Sequence, residues 1–241
     1  MATVTNSGRT FSTTAGNKTQ VSTPALNDLI VVVHAISNWA SGDNSTITDN
    51  NADGLGTYTK FGTASAPVST GGGTACALWF SVRDALIGSA TSTTYTATNT
   101  GDTGGGLVVF RVSGMTRTGS SAVLQSIGES SQTENPPTIT FASATDTNNP
   151  IILAVIGEDN PLAVTPPTGF TEAGDTGYAT PATGLECCFV NSGQTSTLYA
   201  WSGGATTNHN EIGIELDTTS PPAGGADPFP FFGGGYYPTE G

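Results

Sequence analysis

Hydrophobic residues along the chain fall in short runs, separated by segments rich in glycine, threonine and other polar residues. The runs LIVVVHAI and PIILAVIG are apolar at successive positions, which predicts central strands buried on both faces. In contrast, VVFRVSG and IGIELDT alternate apolar and polar residues, which predicts strands with one face on a core and the other in solvent. No apolar stripe with helical spacing extends over three turns. The pattern therefore predicts an all-β protein with almost no helix.

The hydrophobic runs occur twice in the same order. NDLIVVVHA from Asn27 matches NPIILAVIG from Asn149, and TACALWFSV matches TGLECCFV. GTYTKFGT, TTYTAT and GLVVFRV have the later counterparts GFTEAGDT, TLYAWS and NEIGIEL. Each copy holds about six or seven short strand candidates separated by turn residues, as in a β-sandwich. We therefore predict two similar tandem β-sandwich units, at residues 1–115 and 116–218, with a polar linker at about residues 116–137.

The end of the chain, residues 219–241, differs from both units because it is rich in glycine and proline. It carries five aromatic residues without strand or helix periodicity, namely Phe229, Phe231, Phe232, Tyr236 and Tyr237. Exposed clusters of apolar groups usually mark a contact site. We expect an extended C-terminal arm that inserts these rings into apolar pockets of a neighbouring subunit, because buried aromatic side chains contribute a large contact area.

Charge and hydropathy exclude several classes of partner. The net charge is −13, and all six basic residues lie no later than Arg117. Such a chain repels nucleic-acid phosphates, so nucleic acid is not an expected partner. The apolar runs are shorter than the roughly 20 residues that cross a membrane. The N-terminus has neither the basic start nor the apolar run of a signal peptide, which predicts synthesis in a cytoplasm without export.

Few residues are candidates for catalytic chemistry. His34 lies inside a hydrophobic run and is predicted to be a hydrogen-bonded core residue, whereas His209 in TTNHNE is predicted to be a solvated loop residue. Glu172, Asp175 and Glu186 could form a carboxylate pair for glycoside hydrolysis, although their number is no greater than solubility requires. Motifs for nucleophilic serine, zinc-dependent hydrolysis and phosphate-binding loops are absent. We therefore predict a protein that is not an enzyme.

The three cysteines, Cys76, Cys187 and Cys188, have neither a disulfide framework nor metal-binding spacing. Neighbouring residues on a strand point to opposite faces, so Cys187 and Cys188 cannot both face one partner. All three are predicted to be small buried thiols.

One local motif has the chemistry of an ion site. DNNADG fits the first half of a calcium loop, with Asp49, Asn51 and Asp53 as the ligands. The closing glutamate of such a loop is missing, and Lys60 stands in its place. Clusters of Asx and glycine residues also form ordinary turns. No cofactor is predicted, with calcium at this loop as the open alternative.

Two tryptophans indicate an alternative function. Trp39 and Trp201 follow strands and lie beside glycine-rich segments, where an exposed indole could stack on a sugar ring. Packing in a core or at its rim is the other interpretation. Exposed indoles at these positions would favour a carbohydrate-binding, lectin-like module.

Tandem Thr/Gly-rich units, strands that start with ND or NP, the PPTGFT turn and the late YAWS segment together resemble a known family. They are similar to virion structural proteins of tailed bacteriophages, of the jelly-roll or a related sandwich type. The resemblance covers both units and implies jelly-roll-like folds with an assembly role on the outer surface of the virion, as head decoration or as a tail-associated protein. The implied partners are major capsid or tail subunits and other copies of the chain. A receptor-binding carbohydrate module is the alternative.

Overall fold

The computed structural model describes most of both units. The described residues are 1–37, 39–40, 43–54, 56–62, 76–101, 104–131, 136–158, 164–179, 182–203 and 209–220. They form fifteen β-strands and one short 3-10 helix, Gly119–Ala122. The all-β prediction is confirmed.

Eight strands make up the first unit. They are β1 (Thr3–Ser12), β2 (Lys18–Ser22), β3 (Leu29–Ser37), β4 (Ser45–Asp49), β5 (Tyr58–Gly62), β6 (Cys76–Arg83), β7 (Thr93–Asn99) and β8 (Gly104–Ser113). Seven strands make up the second unit. They are β9 (Val123–Ser131), β10 (Thr138–Thr140), β11 (Ile151–Glu158), β12 (Thr171–Ala179), β13 (Ala182–Val190), β14 (Leu198–Ala200) and β15 (His209–Leu216).

The large sheets of the two units have the same strand order. In the first unit a five-stranded sheet, β1-β8-β3-β6-β5, faces a smaller sheet, β2-β7-β4. In the second unit the order β9-β15-β11-β13-β12 repeats the first, and the smaller sheet is β10-β14. The described strands pair antiparallel throughout. Most successive strands alternate between two facing sheets, but β5 and β6 lie together in the first large sheet, and β11, β12 and β13 lie together in the second.

The two units are joined by their largest core. The five-stranded sheets pack face to face, so that apolar residues of β3, β6 and β8 meet apolar residues of β11, β13 and β15. The smaller sheets cover the outer faces of the large ones through two further clusters. The result is a stack of four β-layers in which each large sheet is buried on both faces.

The burial of β3 and β11 agrees with the sequence pattern. Each is the third strand of five in its large sheet, and every residue of β3 is buried. The alternating strands β8 and β15 also direct their predicted apolar face to the shared core. Their other face was expected to contact solvent, and this was wrong, because a smaller sheet covers it: Leu107 and Val109 pack there with Tyr95.

The segment predicted as a linker, residues 116–137, contains the 3-10 helix and strand β9. Strand β9 pairs with β15 at the edge of the second large sheet, as β1 pairs with β8 in the first. The part of this polar segment that the structure describes up to Ser131 therefore belongs to the second unit. Its polarity is that of an edge strand, whose outward side chains contact solvent.

The three cysteines are free and buried. Cys187 packs in the core between the units, whereas Cys188 packs in the core between the second large sheet and its smaller sheet. The prediction of buried thiols that face opposite sides of one strand is confirmed.

Candidate functional site

The predicted calcium loop follows β4, and two of its three predicted ligands, Asp49 and Asp53, contact a guanidinium group. Arg83 Nε lies 2.9 Å from Asp49 Oδ2, and Arg83 Nη2 lies 2.8 Å from Asp53 Oδ1. Tyr58 donates its hydroxyl to Asp49 Oδ2 at 2.7 Å. The side chains of Arg83 and Asp49 are almost completely buried. The cation that these carboxylates contact is therefore Arg83 of β6.

The remaining groups of this loop are used in turns. Asp49 Oδ1 accepts the N–H of Asn51, and Asn51 Oδ1 accepts the N–H of Asp53. The amide nitrogen of Asn51 donates to Ser89 O and to Thr93 Oγ1. These contacts correspond to the Asx-turn interpretation of DNNADG. Partial burial acts to raise the pKa of Asp53, but the hydrogen bonds from Arg83 and from Gly88 N–H outweigh it and lower that pKa.

The two tryptophans considered for sugar binding are not presented as exposed platforms. Trp201 is 1% exposed and packs in the core beneath the second large sheet. Its ring cannot stack on a sugar, and that part of the prediction was wrong because β14 and the Thr165–Ser202 bridge enclose this position. Trp39 is half-buried against Trp79 and donates its N–H to Asp43 O at 3.2 Å.

His34 is a hydrogen-bonded core residue, as predicted. Its Nδ1 lies 2.7 Å from Ser45 Oγ and its Nε2 lies 2.8 Å from Ser81 Oγ, so the imidazole links β3 to β4 and β6. The ring also stacks on Trp79 with a centroid distance of 5.5 Å. Burial, together with the nearby charge of Lys60, lowers the pKa of His34 to about 3.

His209 is the first residue of β15 and is 1% exposed, so its prediction as a solvated loop residue was wrong. Its Nε2 lies 2.6 Å from Glu211 Oε1. The sequence TTNHNE looks like a turn, but strand β15 begins inside it because β9 and β11 provide pairing partners on both sides.

Three carboxylates form the other notable group, and we call them the acidic cluster: Glu172 and Asp175 on β12, and Glu186 on β13. One carboxylate oxygen of each residue lies within 4.8 Å of the other two. Asp175 stands directly opposite Glu186 in the antiparallel pair, and Glu172 stands opposite Cys188. Between Glu172 and Gly174 the register shifts by one residue, so that Ala173 has no pairing partner.

This β-bulge brings the acidic cluster together. Residues three apart on a regular strand lie on opposite faces, so Glu172 and Asp175 would point apart without it. The extra residue restores both carboxylates to one face, where Glu186 also lies. Sequence reasoning identified all three residues but had no signal for the bulge that unites them.

Glu186 is the unusual member of the cluster. It is 0% exposed, whereas Glu172 and Asp175 lie at the surface. Neither oxygen of Glu186 has a hydrogen-bond partner in the part of the chain that the structure describes. Burial, followed by the charges of Asp175 and Glu172, raises the pKa of Glu186 to about 9, although Arg9 acts to lower it.

The geometry of the acidic cluster favours a small ligand over a sugar. A glycosidase needs both carboxyl groups in contact with the substrate, and the carboxyl of Glu186 is closed off from any ligand as large as a sugar ring. The carboxyl groups of Glu172 and Asp175 beside it are exposed.

The five aromatic residues of the predicted arm, Phe229 to Tyr237, lie outside the described residues, so the arm stays a prediction. Among the described residues, no helix has the length and apolar character needed to cross a membrane. A comparison with models of known protein families finds no match, and no curated protein matches the sequence.

Proposed function

We propose that this protein is a non-enzymatic structural component of a phage virion that acts through protein–protein contacts. The observation that carries the proposal is the fusion of two jelly-roll-like units into one block through a shared apolar core. Jelly rolls recur in viral capsid domains. Fold alone does not establish function, so the contacts and the buried polar groups must also be compatible with an assembly role.

Polar contacts reinforce the block across the two units. Asn210 Nδ2 donates to Cys76 O at 2.7 Å, and Val4 N–H donates to Asn191 Oδ1 at 2.6 Å. Asn6 Nδ2 donates to Ala173 O at 2.5 Å. Because both faces of each large sheet are covered, contacts with other proteins would use sheet edges, loops, the outer faces of the smaller sheets and the C-terminal arm. A block of this kind suits a protein whose task is to hold position on a particle.

The buried polar groups support a structural role in preference to catalysis. His34 with Ser45 and Ser81 is a contact of the kind seen between a catalytic base and a nucleophile. All three residues are fully or almost fully buried, so a substrate could not reach either hydroxyl. The imidazole is neutral and fixed between two strands, which suits a role in holding the two sheets together.

The proposed partners are major capsid or tail subunits and other copies of this chain, on the outer surface of the virion. Nucleic acid does not fit a chain of net charge −13. The five aromatic residues of the arm are the proposed anchors. Ordering the backbone of the arm costs about 1–2 kcal/mol of conformational entropy per residue, and burying several rings is needed to offset that cost.

The test compares three chains: the full-length protein, a truncation after Pro222, and a full-length variant with the five arm aromatics replaced by serine. We expect all three to fold alike, and we expect both variants to be lost from particles purified by density gradient. The serine variant is the matched control for length, because it separates the rings from the mere presence of a tail. Unchanged incorporation of both variants would refute the arm, and absence of the full-length chain from particles would refute the virion role.

The carbohydrate-binding alternative now rests on Trp39 alone, because Trp201 is buried. A glycan array decides it: binding that Trp39→Ala abolishes would support a lectin-like module over the proposed function.

A further inference from the structure

We propose that Glu172, Asp175 and Glu186 together bind one calcium ion at the edge of the second large sheet. The site lies on β12 and β13 and is separate from DNNADG, the loop in which the sequence suggested calcium. The inference is independent of the virion proposal, because it rests on the chemistry of these three side chains.

The first argument is the uncompensated burial of Glu186. A buried carboxylate normally accepts several hydrogen bonds or contacts a cation. Glu215 of the same sheet, equally buried, accepts from Gln125 Nε2 at 2.6 Å, from Asp146 N–H at 2.7 Å and from Asn149 Nδ2 at 2.9 Å. Glu186 has no such donor among the described residues. A bound cation would supply the missing partner for both of its oxygens.

The second argument is the convergence of the ligand atoms. The three carboxylate oxygens lie within 4.8 Å of one another. Two oxygens on opposite sides of a calcium ion are separated by about 4.6–5.2 Å, because each lies about 2.3–2.6 Å from the ion. The three oxygens can therefore contact one ion with small side-chain adjustments, and water can complete its coordination at the exposed side.

The third argument is the distribution of basic residues. Beyond Arg117 the chain contains no lysine or arginine, so most of the second unit has no basic side chain of its own to place beside Glu186. Arg9 of β1 is the basic group whose charge stabilises the ionised form of Glu186. Its Nη1 donates a hydrogen bond to Ala173 O at 3.3 Å. With three carboxylates and one guanidinium, the site has a net charge that one divalent ion balances.

Calcium fits this site better than other common ions. Carboxylates and water are ligands for hard cations, whereas sulfur and imidazole ligands favour zinc and copper. Magnesium requires nearly ideal octahedral geometry and dehydrates reluctantly, while calcium accepts irregular arrangements and bidentate carboxylates. Ligands from two strands around a β-bulge form an irregular arrangement of this kind.

The experiment is isothermal titration calorimetry of the full-length protein, freed of metal with EDTA, against CaCl2 and separately against MgCl2. We expect one calcium ion per chain, with a response to magnesium at least about tenfold weaker, as expected where geometry selects calcium. No heat of binding and no change in melting temperature in CaCl2 up to about 10 mM, above the Kd of weak extracellular calcium modules, would overturn the proposal. An equal response to magnesium would overturn the assignment to calcium.

Three variants locate the ion. Glu186→Gln keeps the size of the buried side chain, and Asp175→Asn keeps the size of an exposed one. Both should weaken calcium binding at least about tenfold, the scale of losing a charged ligand. Asp53→Asn, in the DNNADG loop, is the matched control and should bind calcium as the unmodified chain does. Unchanged binding in both cluster variants, or loss of binding only in Asp53→Asn, would overturn the site.

Discussion

Two groups of carboxylates in this protein differ in how their charge is compensated. Asp49 and Asp53 in the first unit contact Arg83, which the chain itself provides from β6. The acidic cluster in the second unit has no such partner for Glu186 among the described residues. The difference follows the uneven distribution of basic residues along the sequence. The same requirement, a counter-charge for a buried carboxylate, is met by a side chain in the first unit, and we propose that an ion meets it in the second.

The largest expected effect comes from removing the counter-charge in the first unit. Arg83→Met would leave Asp49 buried without a cation, and breaking a buried ion pair in this way costs about 3–5 kcal/mol. Urea denaturation would measure the loss in the free energy of unfolding. Arg117→Met is the matched control, because the pair of Arg117 with Asp217 is more exposed and should contribute at most about 1 kcal/mol. A loss in Arg83→Met no larger than that of the control would contradict this account.

His34 extends the comparison to a buried group without a counter-charge. Its ring is hydrogen-bonded to the neutral side chains of Ser45 and Ser81 and stays uncharged. Its pKa of about 3 lies below the ordinary value of 6.5. Below pH 6.5 the unfolded chain binds a proton at His34 that the folded chain does not bind. The free energy of unfolding is therefore unaffected by His34 above pH 6.5 and falls as the pH drops from 6.5 towards 3. The loss approaches about 1.4 kcal/mol per pH unit in that range.

The measurement is the free energy of unfolding of the full chain and of His34→Gln at pH 7 and at pH 5. The carboxylates titrate in both proteins, so the difference between them isolates the imidazole. We expect the substituted chain to lose about 1–2 kcal/mol less than the original on acidification. Equal losses would mean that His34 is not held neutral by burial.

Glu186→Gln tests the acidic cluster without any ion. The pKa of Glu186 is raised from 4.5 to about 9, so the folded chain keeps a proton that the unfolded chain releases above pH 4.5. The contribution of Glu186 to the free energy of unfolding is therefore fully present below pH 4.5 and is lost as the pH rises towards 9. In EDTA, Glu186→Gln should therefore gain about 2–3 kcal/mol relative to the unmodified chain between pH 5 and pH 7. Denaturation curves at the two pH values would measure it. A constant difference would contradict the uncompensated burial of this carboxyl group.

Much of the fold could be predicted from the sequence, because burial on both faces leaves continuous apolar runs in β3 and β11. The internal repeat was also visible, but its alignment was inaccurate. Matching Asn27 to Asn149 aligns Val31 with Leu153, whereas the structure gives Val31 and Ile152 equivalent places in the shared core. A shift of one residue exchanges the two faces of a strand, and similar apolar residues on both faces hide that shift in the sequence.

The candidate sites were less predictable, because they depend on contacts between distant residues. DNNADG indicated a cation, and the structure provides one, but Arg83 lies 34 positions from Asp49 along the chain. The acidic cluster depends on a bulge at Ala173 that has no sequence signature. The face-to-face packing of the two units was not foreseen either, since the apolar face of a strand such as β8 looks the same in sequence whether its own unit or the other unit covers it.

The most direct test of the central claim, that the second unit takes its counter-charge from solution, is an anomalous difference map from crystals of the full-length protein grown with calcium. The account predicts one peak about 2.3–2.6 Å from oxygens of Glu172, Asp175 and Glu186, with Arg83 still between Asp49 and Asp53. A map without a peak at the acidic cluster, or with its peak at the DNNADG loop, would contradict the account.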